Sequence, residues 1–167
     1  MKYLTKPRFF SSLLTRCAGT LLALIFSSAA LANPYKITVL ATNISDYGGL
    51  GEWSFSAFFE GEKDSVLFDT GFKSDTVLHN VQHLGVDLSN TEKVVLSHFH
   101  SDHTGGLLVL RDYFGKINPK ALSEVYIARG FFDQRLTREG EQVGPGLFAS
   151  ATVFKTEAEK RGIRFIE

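Results

Sequence analysis

Three of the five histidines in this 167-residue chain fall within six positions. They lie in the stretch Leu96-Ser97-His98-Phe99-His100-Ser101-Asp102-His103-Thr104-Gly105-Gly106-Leu107, together with one aspartate. In extended backbone, residues i and i+2 point to the same side. His98 and His100 can therefore face one metal ion together, and Asp102 and His103, placed after a turn, can face a second. Neutral imidazole nitrogen and carboxylate oxygen are good ligands for zinc and similar divalent ions. Two such ions, about 3.5–4 Å apart, can hold a nucleophilic oxygen between them and clamp a reacting centre. Gly105 and Gly106 lack a Cβ, so neighbouring backbone can pass close to the cluster.

The elements around this stretch have to position it. Val94-Val95-Leu96 reads as a buried strand, and Thr104-Gly105-Gly106-Leu107 as the start of a helix. The cluster is thus expected where a strand ends and a helix begins. Upstream, Lys36–Leu40, Trp53–Glu60 and Ser65–Asp69 read as strands, neighbours in one antiparallel sheet. Asn43–Gly51 is polar and glycine-rich and reads as a loop. A helix capped by Ser74 or Asp75 is expected to run to Leu84, with Val77, Val81 and Leu84 buried and Gly85 as its stop. Asp87 reads as a turn residue. His79 and His83 share a face of that helix at i,i+4 spacing. With no third ligand nearby, they read as a solvated face. Downstream, an apolar helix from Leu107 to Phe114 is expected to stop at Gly115, followed by a strand at Glu124–Ala128. Phe131–Arg138 reads as helical, 139–146 as a loop, Thr156-x-x-Glu159 as a capping box, Gly162 as a stop and Ile163–Ile166 as a strand.

The residues also carry a resemblance. His98-x-His100-x-Asp102-His103 resembles the H-x-H-x-D-H signature of the metallo-β-lactamase superfamily. Val66-Leu67-Phe68-Asp69-Thr70-Gly71 resembles the family's strand ending in D-T-G. Asn80–Leu88 and Glu52-Trp53-Ser54-Phe55-Ser56 resemble a branch named for dihydropteroate-synthase-related hydrolases. The resemblance covers about Lys36 to Leu107. It implies an α/β (α+β) fold, the αββα sandwich. This chain would supply the N-terminal half, as one mostly antiparallel sheet with flanking helices.

The resemblance also implies a function. His98, His100, Asp102 and His103 would be metal ligands, and Asp69 would support the metal-binding loop. Asp102 would also be catalytic, holding the second ion and orienting the nucleophile. The cofactor would be one or two Zn2+ ions, with iron or manganese compatible with the same ligand types. The activity would be hydrolysis by a metal-bound hydroxide of an ester, amide or phosphoester in a small-molecule substrate. A pteridine-related substrate is suggested by the branch name alone. The family completes its site with two further histidines and a bridging aspartate from its C-terminal half, and no histidine follows His103. The chain is therefore expected either to be a piece of a longer protein or to be naturally truncated, with an exposed apolar sheet face. The alternative function is a non-catalytic, truncated protein of the same fold.

Charge and the N-terminus bound the remaining possibilities. Residues 1–32 contain Lys2, Lys6, Arg8 and Arg16 and no acid, leaving 14 basic and 18 acidic residues beyond them. That balance gives no electrostatic footprint for nucleic acid. The basic start, the apolar Cys17–Phe26 segment and Ala30-Leu31-Ala32 read as a cleaved signal peptide over 1–32. Residues 33–167 would then be exported, periplasmic or secreted, with no stable membrane association after cleavage. Cys17, the single cysteine, would leave with the signal, so no disulfide is expected.

Overall fold

The computed structural model describes residues 35–133 and 151–167. The expected signal peptide and the loop at 139–146 lie outside them. Ten elements follow in chain order: β1 (Lys36–Ala41), β2 (Ser56–Glu60), β3 (Ser65–Phe68), α1 (Thr76–His83), β4 (Lys93–Leu96), α2 (Ser101–Thr104), α3 (Leu107–Ile117), β5 (Glu124–Ile127), α4 (Ala151–Lys160) and β6 (Arg164–Ile166).

The strands form one six-stranded sheet in sequence order. β1, β2 and β3 pair antiparallel, as expected. The rest of the sheet departs from the mostly antiparallel expectation. β3–β4, β4–β5 and β5–β6 are all parallel. The reason is the connections. Between the two strands of each pair lies a helix that carries the chain back to the same end of the sheet, and such crossovers impose parallel pairing. The sheet is therefore mixed, and the α/β class stands.

Register sorts the strand residues onto two faces. Phe58, Leu67, Val94 and Val125 lie opposite one another on successive strands and are at most 3% exposed. Val77 and Val81 of α1, Leu107, Leu110 and Phe114 of α3, and Phe154 and Ala158 of α4 join them in one core. On the other face, Ile37, Phe59 and Val66 align in one row, and Val39, Ala57, Phe68, Val95 and Tyr126 in another. Ile37 and Val39 are 63% and 50% exposed. The expected apolar sheet face is thus present among the described residues.

Several local expectations shift. Trp53 lies before β2 and is exposed. Leu84 caps the C-terminus of α1 and is 43% exposed, and buried Asn80 takes the expected inner position instead. Its amide donates to the carbonyls of Leu40 and Leu50 and accepts from the Leu50 N–H, a better use of a buried position beside a loop than a methyl would be. Helix α3 runs through Gly115 to Ile117. A Cβ at Gly115 would stand 2.8 Å from Arg111 Nη1. The glycine therefore makes room for a buried guanidinium that donates to the carbonyls of Pro119, Ala121 and Arg161, and does not end the helix. Thr156 lies inside α4, so it caps nothing. Phe131–Asp133 form a turn, and the rest of the helix expected there lies outside the described residues. Gly85 and Gly162 end their helices at positive φ, as expected.

Candidate metal centre

The site is built at the end of β3 and β4, where parallel strands deliver their C-termini side by side. Asp69 follows β3 in the left-handed region, at φ 51°, which turns its side chain toward the end of β4. Its N–H donates to Val95 O at 2.9 Å, and Ser56 Oγ donates to its carbonyl at 2.8 Å. Held from both sides, Asp69 is 1% exposed.

That buried carboxylate organises the cluster. Oδ1 accepts the Ser97 N–H at 2.8 Å, and Oδ2 accepts Ser97 Oγ at 2.7 Å. Oδ2 also lies 2.7 Å from His103 Nδ1. With its hydroxyl proton on Asp69, Ser97 Oγ is left as an acceptor for His98 Nδ1, at 3.0 Å. One buried acid thus holds the Nδ1 protons of two imidazoles, His103 directly and His98 through Ser97. The Nε2 lone pairs of both rings are left to face elsewhere.

They face each other's neighbourhood. The His98 ring centroid lies 4.5 Å from that of His100 and 4.2 Å from that of His103. His98 Nε2 is 2.9 Å from His100 Nδ1, and His103 Nε2 is 3.5 Å from Asp102 Oδ2. Partial burial, with His103 and His100 alongside, pushes the His98 pKa below its usual value and favours the neutral ring that a metal requires.

The backbone fixes this convergence. His100 is extended, at φ −127° and ψ 150°, and begins the single turn α2. Its carbonyl accepts both the N–H and the hydroxyl of Thr104, each at 3.0 Å. The Asp69–Gly71 loop grips the other end of that turn. Thr70 donates its N–H and its hydroxyl to His103 O, while Gly105 and Gly106 donate to the carbonyls of Gly71 and Thr70. The two glycines are required by contact: a Cβ at Gly105 would sit 1.7 Å from Phe72 O, and one at Gly106 would sit 2.3 Å from Thr70 O.

The donor set suits a divalent ion. Two nitrogens bound tetrahedrally to zinc at about 2.0–2.1 Å stand about 3.3 Å apart. The His98 and His100 nitrogens would have to spread by only a few tenths of an ångström, with the His100 proton moved to Nε2. Among the described residues, no three His, Cys, Asp or Glu side chains are arranged so that together they could hold a metal ion. His98 and His100, with His103 and Asp102 beside them, bring their donor atoms close together without closing such a site.

All four expected ligands and Asp69 are brought together. His79 and His83 are not part of the site. They stand on α1 with stacked rings 6.3 Å apart. Sequence reasoning missed Ser97 and Thr70. A hydroxyl residue directly before the first histidine, and another directly after the aspartate of D-T-G, were the available signals.

Residues 54–162 match the family model described as "Metallo-beta-lactamase superfamily". A relative from Methanocaldococcus jannaschii, 7,8-dihydropterin-6-methyl-4-(beta-D-ribofuranosyl)-aminobenzene-5'-phosphate synthase, is 28% identical over 106 residues, covering 64% of this chain and 34% of the relative. The crystal structure of Tm1679, a metal-dependent hydrolase of the beta-lactamase superfamily, is 30% identical with a TM-score of 0.53, covering 78% of this chain and 41% of that one. The chain thus spans about a third of the length of the first and two-fifths of the second. The family match takes in the histidine turn, its supporting loop and most of the mixed sheet, and the chain belongs to the metallo-beta-lactamase superfamily.

Proposed function

We propose that this chain forms part of a metal-dependent hydrolase acting on an ester, amide or phosphoester, with His98, His100, Asp102 and His103 as ligands. The observation that carries this reading is the role of Asp69. It fixes the outer nitrogens of His98 and His103, directly or through Ser97, so that their inner nitrogens point toward His100 Nδ1 and Asp102. A polar surface loop gives histidines no such second partners.

A divalent ion held by these residues, zinc first among the compatible metals, would supply water activation near neutral pH and polarisation of the bond under attack. The protein's own residues do the rest. Ser97 and Asp69 keep His98 and His103 in the tautomer that presents Nε2. His100 contributes Nδ1. Asp102, at the start of α2, holds its carboxylate beside His103, where it can accept a proton or orient a water. The substrate is proposed to be a small molecule, and residues 1–32 an export signal.

A second reading has its own support. The Methanocaldococcus jannaschii relative is a synthase named for a dihydropterin product, so the centre could serve a synthase acting on a pterin. Metal-loaded protein should be assayed against carboxylic ester, phosphomonoester, phosphodiester, lactam and dihydropterin compounds. Turnover of one hydrolysable class, lost in His100→Ala, supports the first reading. Conversion of one dihydropterin compound into another, without hydrolysis of any class, supports the second. No metal uptake by the wild type would contradict both.

A further inference from the structure

Glu52 has no place in the chemistry above, yet it is 9% exposed and its carboxylate takes four hydrogen bonds. Oε1 accepts the Phe72 N–H at 2.6 Å and the Ser54 hydroxyl at 2.8 Å. Oε2 accepts the Lys73 N–H at 3.1 Å and the Thr76 hydroxyl at 2.9 Å. No lysine, arginine or histidine pairs with it among the described residues. A buried carboxylate without a cation is costly unless its lone pairs are filled. Here they are filled by the backbone of a single loop, by the Thr76 hydroxyl that follows that loop, and by the Ser54 hydroxyl from Glu52's own segment.

That loop is the one that grips the histidine turn. We propose that Glu52 is a positioning residue for the metal centre, acting through residues 70–73; the proposal rests on the metal-binding reading given above. On one side of the loop lies the Glu52 carboxylate. On the other, Thr70 O and Gly71 O accept the N–H groups of Gly106 and Gly105, at 3.0 and 2.9 Å, and the Thr70 N–H reaches His103 O at 2.7 Å. There is no slack between the two sides. A Cβ on Gly71 would stand 2.8 Å from both Glu52 Oε1 and Val77 Cγ2. The close fit of Gly105 under Phe72 O passes any shift of the loop to the turn that carries Asp102 and His103. Asp69 therefore sets the imidazole tautomers from one end of the loop, while Glu52 sets the height of the turn from the other.

The chemistry at Glu52 demands a carboxylate. All four partners donate, so an amide in its place turns one acceptor into a donor facing the Phe72 or Lys73 N–H. The test is Co2+ binding by the full chain, measured by competition with a chromophoric chelator and by the visible spectrum of the bound ion. Glu52→Gln should weaken Co2+ binding about tenfold or more, within the range for groups that orient metal ligands, and should alter the visible spectrum at saturation. Thr76→Val removes one donor and keeps the carboxylate, so it tests the same contact should Glu52→Gln fail to fold. It should weaken binding about threefold, the worth of one ordinary hydrogen bond. Asn80→Ala removes an equally buried network that holds the neighbouring loop, and should lower the melting temperature without changing Co2+ affinity or spectrum. Wild-type affinity and spectrum in both Glu52→Gln and Thr76→Val, with binding abolished in His100→Ala, would overturn the role of Glu52 and leave the metal centre standing. Equal losses in Glu52→Gln and Asn80→Ala at matched melting temperature would also overturn it. Undiminished binding in His100→Ala would remove the metal centre and this proposal together.

Discussion

The chain carries histidines at two places, and the two are held in opposite ways. On α1, His79 and His83 follow helical spacing. Their rings lie nearly parallel, 10° apart in orientation and 6.3 Å between centroids. His79 Nε2 bonds the carbonyl of Gly48, and His83 Nε2 lies 3.8 Å from Asp46, whose side chain is 71% exposed. At the end of β4, extended backbone followed by one helical turn makes three rings converge, and an acid that is 1% exposed holds two of them by their outer nitrogens. Ligand-type residues are common to both places. Only the second has a buried partner that decides which nitrogen faces inward, as groups that orient metal ligands do.

The largest effect should come from breaking the convergence itself. His100→Ala should remove most bound zinc and any hydrolytic turnover, because no nearby residue can replace Nδ1. Metal analysis after dialysis measures this, and unchanged metal content would remove His100 from the site. Next comes the close approach beneath the turn. Gly105→Ala drives a Cβ into Phe72 O and should destabilise the fold by at least about 3 kcal/mol, as severe overpacking does. Denaturant unfolding would show it, and a loss under about 0.5 kcal/mol would mean that the loop and turn can part without cost.

Asp69→Ala sharpens the comparison directly, because it takes the buried partner away and leaves every ligand in place. Zinc affinity should fall by about 10–100-fold. An affinity within twofold of wild type would reduce Asp69 to a turn residue, and the contrast with Asp46 would lose its meaning. The smallest effect is expected at the other histidines. The double variant His79→Ala, His83→Ala should bind zinc at the turn as the wild type does, and a shift in that affinity of more than about threefold would show that α1 contributes a ligand after all.

Much of this arrangement is legible in the sequence because it is local. His98, His100, Asp102 and His103 lie within six positions, so strand-then-turn geometry alone brings them together. The need for Gly105 and Gly106 follows from the same crowding. Strand direction beyond β3 is not local. It depends on helices crossing back over the sheet, and the apolar runs of β4, β5 and β6 read the same in either direction. The two hydroxyls and the carboxylate around the turn are hidden for another reason. Ser97, Thr70 and Glu52 are ordinary loop residues by type, and only their partners across 20 to 33 positions of chain give them work. The burial expected of Leu84 and the stop expected at Gly115 fail because Asn80 and Gly115 each suit a neighbour, a loop carbonyl in one case and the Arg111 guanidinium in the other, and not the helix that contains them.

The most direct test of the central claim is a crystal structure of the zinc-soaked protein with anomalous data collected on both sides of the zinc absorption edge. The account predicts an anomalous peak bonded by His98 Nε2 and His100 Nδ1, with His103 Nε2 turned toward the same cavity and Asp69 outside the coordination sphere, still bonded to Ser97 and His103 Nδ1. A peak at His79 and His83 with none at the turn, or Asp69 bound directly to the ion, would contradict it.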